Sequence, residues 1–563
     1  MSSSCGRFWI VFNGEIYNYI ELKNQLISYG YKFRTETDTE VLIASYAHWG
    51  RKCLEHFIGM FSFALWDDSE HILFAARDRL GIKPFYYFCD GNKFIFASEI
   101  KSIRSVAGLS AGVEASLIDA YMDFGYIPGE NSLFPGIKRL LPGHSLTCRI
   151  GEQPQIDRYW SLEFLPQTKV SLADHERQID SLLKDSIALR LRSDVPLGVF
   201  LSGGLDSSAV VSLLAPGASN GLKTFSVAYD FGPEYDETPY ARIISSQFHT
   251  DHYEYRMTPG DFVDFIPDYI RHMDEPVTEA AAISLYYVSK LAREKVVVCL
   301  SGEGADELFA GYDFYRYNLI IEKLRSVFGD GLARQFSRRA RRFTNSQKLK
   351  KYLQMAELPL EKRYKGISSH DSSIKEALYR DDFKAVVQSG NSDLNSFIHG
   401  LFRHSQNWDP LSRMLYFDTN TWLVDDLLIK ADRMSMATSI ELRVPFLDHR
   451  LVEYAATVPS QYKLHGGTSK YILKNILKSR LPKTIINRKK MGFPTPLEMM
   501  FRGALYEYAY DTLLSQKSLQ RGYFSSSAVK SLLENHRKNI SDNHRAIWQL
   551  LVLEEWHLQH GLN

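Results

Sequence analysis

Phe200-Leu201-Ser202-Gly203-Gly204-Leu205-Asp206-Ser207-Ser208 lies between a short apolar run and the start of an amphipathic segment, and its reading decides the fold. The preceding residues 195–201 (VPLGVFL) read as a buried strand, and 206–214 as a helix. Between them, Gly203 and Gly204 let the backbone turn tightly and present its N–H groups to an anion. Ser207 and Ser208 add hydroxyl donors, and the helix N-terminus adds positive potential. No lysine follows the glycines, which excludes the kinase-type P-loop. The plainer alternative is a glycine-rich βα turn with Asp206 near a helix start, but SGGLDSS carries more donors than such a turn requires.

Outward from this loop the chain alternates strand and helix. Residues 175–191 place Ile179, Leu182, Leu183, Ile187 and Leu191 on one helical face. Strand 222–228, helix 236–248, strand 251–255, helices near 261–272 and 282–294, and strand 296–300 follow. This rhythm predicts a parallel, doubly wound sheet, whose ligands gather beyond the C-terminal strand ends. Phe225-Ser226-Val227 and the segment from Ser301 to Tyr312 (SGEGADELFAGY) therefore belong beside SGGLDSS. Residues 305–563 read as mostly helical.

The N-terminal region has a different grammar. Residues 7–12 read as a strand, 17–29 and 38–49 as amphipathic helices, and 60–66, 71–76, 84–88 and 93–97 as apolar strands. These predict an α+β layered domain with a largely antiparallel sheet, in which FSFALW is covered on both faces. From about 105 to 170 the pattern loosens, and GYIPGENSLFPGIKRLLPGH (125–144) reads as an ordered linker.

At 563 residues the chain is too long for one compact core. Its formal net charge of +1 provides no global field for nucleic acid or an anionic membrane. No apolar run is long enough to span a bilayer, and the start lacks the pattern of a signal peptide. Cys5, Cys53, Cys89, Cys148 and Cys299 have neither disulfide-framework nor zinc spacing, and point to a cytoplasmic protein. The basic run Arg334, Arg338, Arg339, Arg341, Arg342, Lys348, Lys350 and Lys351 reads as a solvated helical face, since no aromatic platform is interleaved.

SGGLDSS resembles the pyrophosphate-binding loop of the N-type ATP pyrophosphatases, and SGEGADELFAGY points within that group to glutamine-hydrolysing asparagine synthetases. The resemblance runs from about residue 7 to about 555. It implies ATP bound with Mg2+ and no organic prosthetic group. Leu201, Ser202, Gly203, Gly204, Asp206, Ser207, Ser208, Val227, Ser301 and Gly302 match its nucleotide site. Asp206 and Asp306 match its magnesium ligands, hard carboxylates of the kind a metal–triphosphate requires. Lys470, in GGTSKYILK, matches the lysine that stabilises charge on the phosphates. Glu303 matches a residue that positions the acyl-adenylate or takes a proton from ammonia. Asp432, Arg433, Glu441 and Arg443 match a segment packed beneath the site and read as a buried ion-pair network. Arg488 and Lys489, before Met491-Gly492-Phe493-Pro494, either reach a phosphate or lie exposed.

A second signature is Asn13-Gly14-Glu15-Ile16-Tyr17-Asn18. In class II glutamine amidotransferases this Asn and Gly form the oxyanion hole, so Asn13 and Gly14 are its counterparts here. Glu15 and Asp38 resemble the groups that hold glutamine's α-amino end. Arg77-Asp78-Arg79-Leu80-Gly81-Ile82-Lys83-Pro84 and Ala97-Ser98-Glu99 complete the match. The family's nucleophile is an N-terminal cysteine preceding further strands. Cys5 lies only a few residues before NGEIYN and is expected in a turn, not at the catalytic position. The expectation is therefore a chain that starts after the nucleophile and, as it stands, uses free ammonia; a truncated start and an evolved loss both fit.

Implied overall is a partial Ntn-hydrolase-type α/β/β/α glutaminase sandwich (1–150), a linker (151–170), and a doubly wound ATP pyrophosphatase domain with a helical C-terminal part (171–563). The implied reaction is ATP-dependent asparagine synthesis from aspartate, with glutamine or ammonia as nitrogen donor, through β-aspartyl-AMP. The partners implied are these small molecules, with no nucleic acid and no membrane; a homodimer is compatible. Asp274-Glu275-Pro276-Val277-Thr278-Glu279 resembles an acceptor-side loop whose last pair is more usually Ala-Asp. Two alternatives stay open: an amidotransferase acting on another carboxylate, such as a sugar acid of a polysaccharide precursor, and a non-catalytic scaffold.

Overall fold

The computed structural model describes residues 1–109, 112–217, 221–230, 232, 235–344, 347–367, 372–490 and 495–562. Its N-terminal part holds eight strands: β1 (Phe8–Ile16), β2 (Gly59–Asp67), β3 (Ile72–Arg77), β4 (Tyr86–Cys89), β5 (Phe94–Ala97), β6 (Ile137–Arg139), β7 (His144–Arg149) and β8 (Gln155–Arg158). Five form an antiparallel sheet in the order β1-β2-β3-β7-β8, and three form a second sheet in the order β5-β4-β6. Two helices, α1 (Tyr19–Ser28) and α2 (Asp38–Trp49), lie on one face of the larger sheet. Leu22, Leu26, Val41 and Leu42 there meet Phe61, Phe63 and Leu65 of β2. Between the sheets, Ala64 of β2 and Ala75 pack with Phe85, Tyr87 and Leu146. Both faces of FSFALW are thus covered, which is why its apolar residues do not alternate with polar ones.

Two expectations are corrected here. β1 does not end at residue 12: Asn13-Gly14-Glu15-Ile16 continue the strand, with Asn13 opposite Ser62 and Gly14 opposite Phe61. Cross-strand packing on β2 outweighs the turn-forming preference of Asn-Gly. The stretch 125–144 is not a passive connector. Tyr126, Ile127, Leu133 and Phe134 are buried, β6 lies within it, and these residues share one apolar core with the C-terminal half.

The second sheet system is parallel throughout. Its strands are β9 (Leu197–Phe200), β10 (Lys223–Tyr229), β11 (Asp251–Met257), β12 (Val298–Leu300) and β13 (Glu441–Arg443), ordered β11-β10-β9-β12-β13. The helices that wrap it are α3 (Leu172–Arg190), α4 (Leu205–Leu214), α5 (Thr238–Phe248), α6 (Pro259–Met273) and α7 (Ala281–Arg293). From β9 the chain winds outward through β10 and β11, then returns to place β12 on the other side of β9. The order reverses between β9 and β12, and at such a switch point the loops diverge to leave a crevice. The rest is mostly helical, including α8 (Ile429–Met436), entered through a π-helical turn at Leu423–Leu428, and α9 (His544–His560).

The basic run sits on the helical segment 313–343, which is kinked at Gly329, and on the following helix. Arg338 and Arg341 both reach Glu357, at 3.2 and 3.5 Å. No helix among the described residues is long and apolar enough to cross a membrane.

Candidate functional site

The loops that leave β9 and β12 line one cavity of about 380 Å³. Its wall includes Leu201, Ser202, Gly204, Asp206, Ser207, Val227, Ser301, Gly302, Glu303, Asp306 and Lys470. Gly203 stays behind the wall in left-handed backbone (φ +67°), and a Cβ there would stand 2.5 Å from the backbone of Tyr240 and Ala241. Only glycine lets α5 pack this close. Ser202 and Ser207 hydroxyls lie 3.2 Å apart at the mouth of the turn. Ser208, expected among the donors, is instead fully buried behind the cavity. One helical residue rotates the side chain by about 100°, so Ser207 and Ser208 cannot face the same ligand.

Two carboxylates and two lysines meet at the switch point. Lys470 Nζ stands 2.6 Å from Asp206 Oδ2 and 2.6 Å from Asp306 Oδ1. Lys490 also pairs with Asp306 and lies 3.8 Å above the Tyr312 ring. Burial would favour neutral Lys470, but Asp206 and Asp306 outweigh it and hold the ammonium above its ordinary range. Asp306 is likewise buried, yet Lys470 and Lys490 hold its carboxyl down at about 2. The backbone must come very close here: a Cβ on Gly311 would stand 1.7 Å from Asp306 Oδ1 and 2.3 Å from Lys470 Cε.

Deeper in the cavity, Glu303 is pushed up to about 7 by burial, against the pull of Lys430 and with the help of Glu307 and Glu279. Its Oε2 has no hydrogen-bond partner among the described residues. Lys430 and Glu279 line the same end. Arg488 resolves toward the loop: it is mostly buried, donates to Ser202 O at 3.4 Å and pairs with Glu237. Lys489 and Lys490 both line the cavity, whereas residues 491–494 lie outside the described residues. The sequence reading missed Lys490 and Lys430. Lys490 completes a cationic triplet with Arg488 and Lys489, and Lys430 stands one helical turn after Asp425-Asp426; those spacings were the available signals.

The expected network beneath the site is present and joins the two halves of the chain. Lys83 pairs with Asp432 at 2.8 Å, Arg139 with Asp425 at 2.9 Å and with Glu275 at 3.0 Å. Arg433 reaches Glu99 at 3.2 Å and Asp274 at 3.5 Å. Arg443 reaches Glu441 at 2.6 Å and Glu15 at 3.5 Å.

In the N-terminal part, Asn13 Nδ2 donates to Ser98 Oγ at 3.1 Å. Asp38 Oδ2 accepts the Ile16 N–H at 2.9 Å. Glu15, pushed up to about 8 by burial and by Asp38, is turned toward Arg443. RDRLGIKP is a tightly bonded turn: Asp78 accepts N–H groups of Leu80, Ile82 and Lys83, and Arg77 donates to three carbonyls. Cys5 is exposed, in the turn expected for it, 3.4 Å from Ser3 Oγ. It precedes β1, whereas Asn13 and Gly14 occupy the far end of that strand. At about 3.3 Å per strand residue, the five steps from Phe8 to Asn13 alone span roughly 17 Å.

Against known proteins, a model of the asparagine synthase family matches residues 178–558, and a glutamine amidotransferase domain model matches residues 1–160. Asparagine synthetase [glutamine-hydrolyzing] 1 of Bacillus subtilis is 35% identical over 552 residues, covering 98% of this chain and 85% of that protein. A putative asparagine synthetase [glutamine-hydrolyzing] of Mycobacterium bovis is 35% identical over 564 residues, covering 98% and 84%. More distant, amidase chyE of Penicillium rubens is 28% identical over 560 residues, covering 93% and 82%.

Proposed function

The chain belongs to the asparagine synthase family, and from that premise we propose that it makes asparagine from aspartate at the expense of ATP, with glutamine or ammonia as nitrogen donor, releasing AMP and pyrophosphate. The observation that carries this reading is the meeting of Asp206, Asp306 and Lys470 at the switch point.

The two carboxylates come from loops on either side of the crevice and offer only hard oxygens, the donor set that suits Mg2+ held with a triphosphate. Asp206 and Asp306 would hold that ion, and it would supply charge neutralisation on the phosphates. The chain's own residues do the rest. The N–H groups of the 201–204 turn and the Ser202 and Ser207 hydroxyls cradle the phosphates beyond β9, while Val227 borders the nucleoside side. A β-carboxylate oxygen of aspartate forms a bond to the α-phosphorus as the bond to pyrophosphate breaks, giving β-aspartyl-AMP. Lys470, held protonated, steadies the negative charge that develops on the departing group. Ammonia nitrogen then bonds to the acyl carbon, the bond from that carbon to the bridging oxygen breaks with its electron pair leaving on AMP, and Glu303 takes the proton from nitrogen. A carboxyl at about 7 is suited to that exchange. On this reading Asn13, Gly14, Glu15 and Asp38 form the glutamine-facing side.

Aspartate-dependent exchange of pyrophosphate into ATP tests the proposal. Exchange with aspartate, lost in Asp206→Asn, is the expected result. Exchange supported only by a different acid moves the acceptor, and none with any acid removes the synthetase reading.

A further inference from the structure

Residues 331–356 hold eight lysines and arginines and no aspartate or glutamate, whereas the whole chain carries only +1. The remainder is therefore net negative, and an anionic surface draws the protein in by this one segment. Averaging over the full length hides that asymmetry. Phe336 and Phe343 also stand among the basic residues, and a purely solvated polar face would not carry them.

The fold gives these residues a common surface. The helical segment Asp313–Phe343 turns at Gly329 (φ 72°), and the helix Gln347–Ala356 packs beside it, with Tyr317 and Tyr352 rings 4.7 Å apart. Before the turn, Ile320, Leu324, Val327 and Phe328 recur at the spacing of one helical face, and all four are exposed. After it, Phe336 and Phe343 stand seven residues apart, again on one face, 68% and 88% exposed. Ile320, Leu324, Phe328 and Phe336 border one apolar cleft of about 240 Å³ together with Leu353 and Ala356. Apolar side chains scattered singly on a surface mean little, but a contiguous patch marks an interaction site.

Arginines edge this cleft. Glu357, next to Ala356, is reached by Arg338 and Arg341 at 3.2 and 3.5 Å, and its carbonyl accepts from Arg334 at 3.3 Å. One carboxylate thus meets two guanidinium groups, Arg339 is exposed, and the patch stays cationic. Its first helix starts one residue after Tyr312, which lines the nucleotide cavity, and the helical rise carries Phe328 about 24 Å beyond. The patch is therefore separate from the site of ATP chemistry.

We propose that this patch docks the protein on an anionic lipid surface, with the phenylalanines entering the boundary between head groups and acyl chains and the arginines meeting the head-group phosphates. A basic helical surface with exposed aromatic and aliphatic residues has the chemistry for that boundary, and long cationic side chains reach outward to the phosphates while their stems stay apolar. Other occupants fit less of the patch. A second copy would set arginines against arginines. An acidic helix could fill the cleft but would leave Val327 and Phe343, which lie outside it, in water. Single-stranded nucleic acid would use the cations and ring faces but not Ile320, Leu324 or Val327. A flat lipid boundary covers all of them. The contact is peripheral, since no helix among the described residues is long and apolar enough to cross a membrane.

The test sediments the full chain with vesicles of phosphatidylcholine alone and of phosphatidylcholine mixed with phosphatidylglycerol. Co-sedimentation is expected only with the anionic mixture. It should weaken as salt rises from about 0.1 to about 1 M, where the screening length falls from about 10 to about 3 Å. Arg339→Ala should lower the partition coefficient about fivefold, and Phe343→Ser ~10-fold or more. Thermal midpoint and pyrophosphate exchange should stay unchanged in both. Equal sedimentation with the two vesicle types, or with neither, overturns the proposal. So does undiminished binding by Phe343→Ser, because charge alone would then suffice. Capture of a short single-stranded RNA or an acidic amphipathic peptide, with the vesicles ignored, gives the patch to another class of partner and likewise overturns it.

Discussion

Glu303 is where the chemistry of single residues is most open to measurement. Burial lifts its carboxyl from an ordinary 4.5 to about 7, so at neutral pH it sits between acid and base. As a proton acceptor it works only when ionised. Amide formation, measured at a fixed concentration of un-ionised ammonia, should therefore fall as pH drops below 7. Glu303→Gln should flatten that dependence and lower amide formation ~10²–10⁴-fold, while pyrophosphate exchange persists. Stability moves the other way. The folded-state value lies above the unfolded one, so the folded protein binds this proton more tightly. That contribution is complete below the ordinary glutamate range and is lost as pH rises through about 7. Glu303→Gln should thus be more stable than wild type by about 1–3 kcal/mol at pH 8, with no difference near pH 4. Thermal unfolding of the two proteins across that range decides it; equal midpoints at pH 8 would remove the buried-acid account.

At the scale of elements, the loops after β9 and β12 can form one site only because their backbones nearly touch side chains. Gly311 shows how little room remains, with Asp306 Oδ1 1.7 Å from where a Cβ would stand. Gly311→Ala should push Asp306 off Lys470 and reduce exchange ~100-fold or more with the helical content of circular dichroism unchanged, since a 1 Å misplacement of reacting groups is that costly. Activity near wild type would show that the loop yields. These loops were readable from residues alone, because SGGLDSS and SGEGADELFAGY each follow a strand and each concentrate glycine with oxygen-bearing side chains. β13 was not. Glu441-Leu442-Arg443 is three residues long, shows no alternation, and becomes a strand only because β12 offers it an edge. The strand through Asn13-Gly14 escaped for the opposite reason: local turn preference is strong there, and the pairing that overrides it comes from β2, some fifty residues later. Lys430 stayed hidden because its spacing after Asp425-Asp426 is the only signal it carries, and that spacing gains meaning only when the fold sets Lys430 on the cavity wall beyond the π-helical turn that holds both acids.

For the whole molecule, the question is what couples the N-terminal sandwich to the crevice. A chain of contacts runs from one to the other. Asn13 donates to Ser98, Ser98 O accepts from Arg433 at 2.6 Å, and Arg433 reaches Asp274, the residue that begins the loop ending in Glu279. Asp274 is fully buried, adopts left-handed backbone (φ 63°), and accepts the Ile100 N–H at 2.8 Å. Arg433, with Lys101 3.3 Å from Asp274, thus ties residues 98–101 to the loop 274–279 by paired charges, beside the apolar core that Ile100 and Val277 share. Breaking a buried pair by removing one member costs about 3–5 kcal/mol, since the charge left behind stays buried. Arg433→Met should therefore loosen the tie locally. Hydrogen exchange should accelerate in 98–104 and 272–280 but not in 205–214, and KM for aspartate should rise while KM for ATP holds. Asp274→Asn in the same background removes the charge that Lys101 alone would then balance and keeps an acceptor for Ile100, in a residue type that tolerates this backbone. It should recover part of the lost protection. A uniform loss across all three segments, or no recovery in the double variant, would mean that Arg433 serves general stability and that the two halves are coupled through their shared apolar core instead.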